Sequence, residues 1–141
     1  MTQIRLVTWN INSVRLRAEA VARFIAAEQP DILCLQETKC RDGEFPEKTF
    51  ESAGLPHLAI HGQAGGRHGV AIASRFPIEQ IEAPDLCREG HARVVSAMVE
   101  GIELHNIYLP AGGDVPDVEK NPKFDHKLDF VARLGDRYAQ R

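Results

Sequence analysis

The sequence predicts an α/β fold, a mixed sheet with flanking helices, from three observations. A strand, helix, strand order opens the chain; short apolar runs joined by tight-turn residues fill its middle; and a proline-initiated amphipathic helix ends it. The 141 residues fit one ordinary domain, and 43% apolar content is enough to fill a core.

Ile4 to Trp9 is the first predicted strand. Ile4 and Leu6 share one face and Val7 and Trp9 the other, so the strand is expected in the middle of a sheet. The period then changes. Val14, Ala18, Val21 and Ile25 line one side of a helix predicted over Ser13 to Glu28, with Asn12 or Ser13 as its N-cap and Pro30 as its terminator. Asp31 to Gln36 carries the continuous apolar run Ile32-Leu33-Cys34-Leu35 and is the second strand, parallel to the first if the helix crosses between them.

Beyond a polar segment from Lys39 to Glu44, a short helix is predicted from Pro46 to about Ala53, ended by Gly54. Ala59 to His61 reads as a short strand. The glycine-rich stretch Gly62 to Gly69 leads into the strand Val70 to Ser74; no helix follows the glycines, so a hairpin fits better than a phosphate cradle. Arg93 to Val99 and Ile102 to Tyr108, separated by Glu100-Gly101, form a second predicted hairpin. Asn121 caps the last helix, Pro122 occupies its first turn, and Phe124, Leu128, Val131 and Leu134 or Tyr138 give it one apolar face.

The formal net charge of -3 argues against a general nucleic-acid coat protein but is compatible with a locally basic groove. Cys34, Cys40 and Cys87 are odd in number and have no paired metal-ligand spacing, which predicts reduced thiols in a reducing compartment. No apolar stretch reaches bilayer length and no secretory leader is evident, so the expected location is the cytoplasm, without membrane association.

Asn10 and Glu37 are the leading candidates for chemistry. Each follows an apolar strand, at the kind of sheet edge where open α/β folds bind ligands, and an amide oxygen beside a carboxylate can form part of a magnesium site. Taken singly, each has a plainer reading, as a turn residue and as a solvated surface charge. Tyr108, at a strand end, offers a phosphate a hydrogen bond or else caps the core edge with its hydroxyl in water. Lys123 can meet an anion together with free amides in the first turn of the last helix, and Arg93 can clamp a phosphate; both are otherwise ordinary solvated cations. The six histidines show no convincing ligand spacing, and no Ser or Cys sits on a nucleophile elbow.

Together, Thr8-Trp9-Asn10-Ile11-Asn12, Leu35-Gln36-Glu37-Thr38-Lys39, Phe45-Pro46, His61-Gly62-Gln63, Gly69-Val70-Ala71, Tyr108-Leu109-Pro110 and Lys123-Phe124 resemble the N-terminal half of the exonuclease III family. These are magnesium-dependent apurinic/apyrimidinic endonucleases of the endonuclease/exonuclease/phosphatase superfamily. The resemblance implies that Glu37 is a direct magnesium ligand with Asn10 beside it, manganese being an alternative ion. It further implies that Tyr108 lies near the scissile phosphate and that Asn12, Arg93 and Lys123 contact DNA or orient the site. Ala111 and Gly112 stand where an Asn or Gln is usual, and His68 where Asn is common.

The resemblance also implies a four-layer α/β sandwich, two sheets face to face between helices, of which residues 1–141 would form a partial domain lacking the C-terminal half. The family's later Gly-Asp-x-Asn and Ser-Asp-His motifs, which serve the attacking water and the phosphate, do not occur in this sequence. The implied activity is hydrolysis of phosphodiesters in double-stranded DNA at abasic sites and damaged 3′ ends, by an enzyme that is a monomer when complete. Alone, the chain is expected to be marginally stable and catalytically weak. Two alternatives are a phosphoesterase acting on a small phosphate and a non-catalytic DNA-binding remnant.

Overall fold

The computed structural model describes residues 3–141. The elements are β1 (Leu6–Asn10), α1 (Ala18–Glu28), β2 (Ile32–Gln36), a single 3-10 turn (Asp42–Glu44), α2 (Glu47–Ala53), β3 (His57–His61), β4 (Val70–Ser74), β5 (Ile78–Glu82), β6 (Val94–Val99), β7 (Ile102–Ile107) and α3 (Pro122–Ala139). The strands form a four-stranded sheet in the order β1-β2-β4-β3 and a three-stranded sheet in the order β5-β6-β7.

As expected, β1 and β2 are parallel, from Leu6 opposite Ile32 to Asn10 opposite Gln36. The glycine-rich stretch is a hairpin loop, since β3 and β4 pair antiparallel from His57 opposite Ser74 to His61 opposite Val70. The β6–β7 hairpin turns at Glu100 (φ 50°) and Gly101 (φ 75°), the left-handed pair that a two-residue turn needs to match strand twist.

Three apolar layers separate four structural ones. Val21 and Ile25 of α1 and Phe50 of α2 pack on Leu33, Leu35, Ala71 and Ala73, the outer face of the larger sheet. The opposite face, with Ile32, Cys34, Val70 and Ile72, meets Val95, Ala97 and Val99 of the smaller sheet. Phe130 of α3 then packs on Val94 and Cys87. Phe50 and Phe130 are fully buried, each worth about 2–3 kcal/mol of transfer free energy. Burial pushes the Cys34 thiol up to about 12, in keeping with a core thiol.

Three local expectations fail. β1 is an edge strand, not a central one: its Val7 and Trp9 face packs inward, while the other face, with Leu6 52% exposed and Thr8 also exposed, does not. Helix α1 begins at Ala18, with Arg17 as N-cap and no capping side chain. Residues 13 and 14 are still paired beyond β2, Ser13 N donating to Glu37 O (2.9 Å) and Val14 N to Thr38 O (3.1 Å), so Asn12 and Ser13 cannot start a helix. Arg93 precedes β6 rather than opening it. In contrast, Asn121 caps α3 as expected, its Oδ1 accepting from Lys123 N at 3.1 Å with Pro122 at the first helical position.

Candidate functional site

At one end of the sandwich backbone hydrogen bonds extend each sheet past its regular strands, and one of them, from Gly69 to Ala92, joins the two sheets. Ile11 N donates to Gln36 O (2.9 Å), Thr38 N to Gly69 O (3.2 Å), Lys39 N to His68 O (2.8 Å), Gly69 N to Ala92 O (3.0 Å) and Tyr108 N to Arg93 O (2.7 Å). This lateral run places the ends of β1, β2 and β7 beside the starts of β4 and β6. Glu37, His68, Arg93 and Tyr108 lie in it, and Asn10, the last residue of β1, directly precedes it.

The seam forces unusual backbone. Asn12 (φ 46°), Glu37 (φ 57°), Lys39 (φ 55°) and His68 (φ 54°) are left-handed without being glycine, the sort of local strain that collects at functional sites. Gly69 (φ 96°) is where the crossing is tightest, because a Cβ there would overlap the buried Thr38 Oγ1. Gly69→Ala is expected to cost about 2–4 kcal/mol, from left-handed strain plus overpacking, read as a lowered urea midpoint. A loss below about 0.5 kcal/mol, the range of an ordinary surface substitution, would mean that the seam yields freely.

Tyr108 and Glu37 join the two sheets directly, the phenol donating to Glu37 Oε1 at 2.5 Å. Burial first, then the bond to Glu37 and the carboxylate's charge, push the Tyr108 phenol up to about 12, so it stays protonated throughout the ordinary working range. The Arg93 guanidinium lies 4.7 Å from the Tyr108 ring centroid, donating through Nη1 to Tyr108 O (3.3 Å) and through Nη2 to His91 Nδ1 (3.3 Å). Arg93 is only 6% exposed, and its Nε is buried without a partner. A buried cation with a free donor beside an anion ligand favours a phosphate as third member.

Asn10 is exposed at the end of β1, one ladder step from Glu37. Since Tyr108 takes only Oε1 of Glu37, the other carboxylate oxygen and the Asn10 amide oxygen are the hard oxygens here that could hold a metal. Two protein oxygens fit a magnesium-class ion that keeps several positions for water and phosphate.

His68, Arg93, Tyr108, Lys123 and His126 line an open cleft of about 340 Å³. Lys123 is exposed at its rim, and its backbone amide is already taken by Asn121, so only its ammonium is available for an anion. Asn12 lies outside this cleft, in a neighbouring basic depression with Arg15, Arg17 and Lys39, where Lys39 Nζ donates to Asn12 Oδ1 at 2.6 Å.

The sequence did not reveal two features. Asn106, 3% exposed, clamps the sheets by donating through Nδ2 to Leu35 O (2.9 Å) and Ala71 O (2.8 Å) and accepting from Gln36 Nε2 (2.8 Å). The imidazoles of His68 and His91 stack at 3.8 Å, and His126 stands edge-on to His91 at 5.7 Å. A buried Asn in an otherwise alternating strand was the only available signal for the first; nothing in the spacing signals the second.

Burial and the positive neighbours His91, Arg93 and Arg67 lower His68 to about 4 from its usual 6.5. The unfolded chain therefore binds more protons between these values, and His68 makes stability fall as pH drops from about 6.5 towards 4. With chelator present, His68→Asn is expected to flatten that part of the urea-midpoint profile against pH. An unchanged slope would contradict it.

A family model described as the endonuclease/exonuclease/phosphatase family matches residues 7–138. The chain is 30% identical over 137 residues to exodeoxyribonuclease III of Haemophilus influenzae, covering 93% of this chain and 49% of that protein. The solved structure of an AP endonuclease from Archaeoglobus fulgidus superposes with TM-score 0.83 at 33% identity, covering 94% of this chain and 49% of that one. The 3′ phosphatase NExo from Neisseria, bound to a product DNA hairpin, gives TM-score 0.83 at 33% identity, covering 95% of this chain and 51% of that one. The chain thus spans about half the length of these relatives. Their match supports the α/β sandwich expected from the sequence. Among the described residues, no helix is long and apolar enough to cross a membrane.

Proposed function

Since the chain belongs to the endonuclease/exonuclease/phosphatase family, we propose that its sheet-end site binds magnesium, or manganese in its place, and serves hydrolysis of DNA phosphodiesters at abasic sites and 3′ ends. The observation that carries this reading is the Tyr108–Glu37 hydrogen bond across the two sheets, with the buried Arg93 against the same tyrosine.

Glu37 is assigned as the direct metal ligand and Asn10 as its neighbour in the metal environment. The metal, when bound, supplies polarisation of the phosphate and stabilisation of the departing oxygen. Tyr108, neutral and held by Glu37, is positioned to turn its O–H onto a phosphate oxygen as charge develops there. Arg93 supplies positive potential over the ring, held there by its bonds to Tyr108 O and His91 Nδ1. Lys123 at the rim and Asn12 in the adjacent depression are assigned to the DNA backbone, contacts that position without reading sequence. The family's water-activating Gly-Asp-x-Asn and Ser-Asp-His motifs do not occur in these 141 residues, so turnover by the chain alone is proposed to be weak. We place it in the cytoplasm, acting on double-stranded DNA with abasic or damaged 3′ ends.

The test compares incision of an abasic duplex with hydrolysis of a small phosphomonoester, each with magnesium and with chelator. Slow, chelator-sensitive incision of the duplex in preference to the small substrate is the expected result. Preferential hydrolysis of the small phosphate would replace DNA as the substrate. Salt-sensitive DNA binding without any metal-dependent cleavage would instead make the chain a binding remnant.

A further inference from the structure

We propose that Cys87, His91 and His126 form a second metal site, for a zinc-class cation, chemically distinct from the oxygen site at Glu37 and Asn10. Their ligand atoms all lie within 4.8 Å of one another, and Cys87 Sγ is 3.1 Å from His126 Nε2. Zinc bonds of about 2.3 Å to sulfur and 2.0 Å to nitrogen put neighbouring tetrahedral ligands about 3.5 Å apart, within the observed spread.

The fold prepares this cluster from two directions. Gly90 N donates to Cys87 O (2.9 Å), closing a turn that returns His91 beside Cys87. Arg88 pairs with Asp125 (2.9 Å), tying the same turn to the stretch of α3 that carries His126. Cys87 and His126 are 3% and 8% exposed, so little solvent competes for them. His91 is held flat by its stack on His68. Its Nε2 lies 3.4 Å from the exposed Glu89, which is not one of the three clustered ligands, leaving the fourth position to water.

The thiol and imidazole chemistry selects zinc over magnesium. On binding, the Cys87 thiol gives its proton to solvent as the sulfur–metal bond forms, and both imidazoles coordinate as neutral rings. His91 gives up its hydrogen bond from Arg93 in the exchange. The product is a staple between the β5–β6 connection and α3.

Cobalt is the probe, because a thiolate ligand gives it an intense near-ultraviolet charge-transfer band. Titration of the chain with cobalt should give that band at one equivalent, zinc should displace it, and excess magnesium should not. Cys87→Ser should abolish the band, and His91→Gln, at a partly exposed position, should weaken cobalt affinity at least about tenfold while the far-ultraviolet spectrum is unchanged. No band, a band that survives Cys87→Ser, displacement by magnesium, or unaltered affinity in a folded His91→Gln variant would each overturn the proposal. If Cys87→Ser fails to fold, the His91→Gln affinity decides.

Discussion

Glu37→Gln is expected to weaken magnesium and manganese binding at the sheet-end site by more than about 100-fold, beyond the 10–100-fold cost of losing a mere supporting contact to a ligand. The substitution is informative because the amide oxygen of Gln can still accept the Tyr108 hydrogen bond and so preserve the link between the sheets. What disappears is the negative charge that a hard cation requires. Metal-dependent cleavage of an abasic duplex should vanish with it, while the urea midpoint moves little. Manganese titration followed by electron paramagnetic resonance measures the binding. Unchanged affinity in the variant would remove Glu37 from the metal site.

Asn106→Leu is expected to destabilise the fold by about 3 kcal/mol, measured by urea unfolding. The side chain is buried between the sheets, where it satisfies Leu35 O and Ala71 O and accepts from Gln36. Leucine preserves the approximate volume but leaves those groups without their partner, at about 1–3 kcal/mol for each buried group left unsatisfied. Gln36 keeps its bond to Thr8 Oγ1 (2.9 Å), which limits the loss. A cost below about 0.5 kcal/mol would show that the sheets are held by apolar packing alone.

Much of the scaffold around the site was legible because its signals are local. The run Ile32-Leu33-Cys34-Leu35 must be buried on both faces, and the change from strand to helix period after Trp9 requires a crossover, which together put Asn10 and Glu37 on adjacent strand ends. Pro122 after Asn121 fixed the start of α3 equally well. β5 was missed because Glu79, Gln80 and Glu82 hide the alternation of an exposed edge strand, whose pairing with β6 is further interrupted between Glu79 and Glu82. β1 carried the apolar pattern of a central strand yet lies at an edge, since two-faced hydrophobicity does not say what covers each face.

The site itself divides along the same line. Sequence pattern could place Glu37 and Tyr108 at strand ends, but their direct contact joins residues 71 positions apart and depends on how the sheets stack. Arg93 has the composition of a surface residue and the burial of a core one, because the Tyr108 ring covers its guanidinium. Cys87 and His126 are 39 positions apart and meet only when α3 packs on the smaller sheet. Charge and polarity along a sequence show which groups are available; packing determines which of them are left facing one another without water.

A hard divalent cation is proposed to be held by Glu37 and Asn10, with Tyr108 bonded to Glu37. Manganese-induced broadening of amide and side-chain signals in the isotope-labelled chain locates that ion. At substoichiometric manganese, signals of Glu37, Asn10 and Tyr108 should broaden first and recover on adding excess magnesium, with the Glu37→Gln chain showing no such pattern. Broadening that leaves these residues untouched, or centres on Asp42 and Glu44 instead, would place the cation elsewhere.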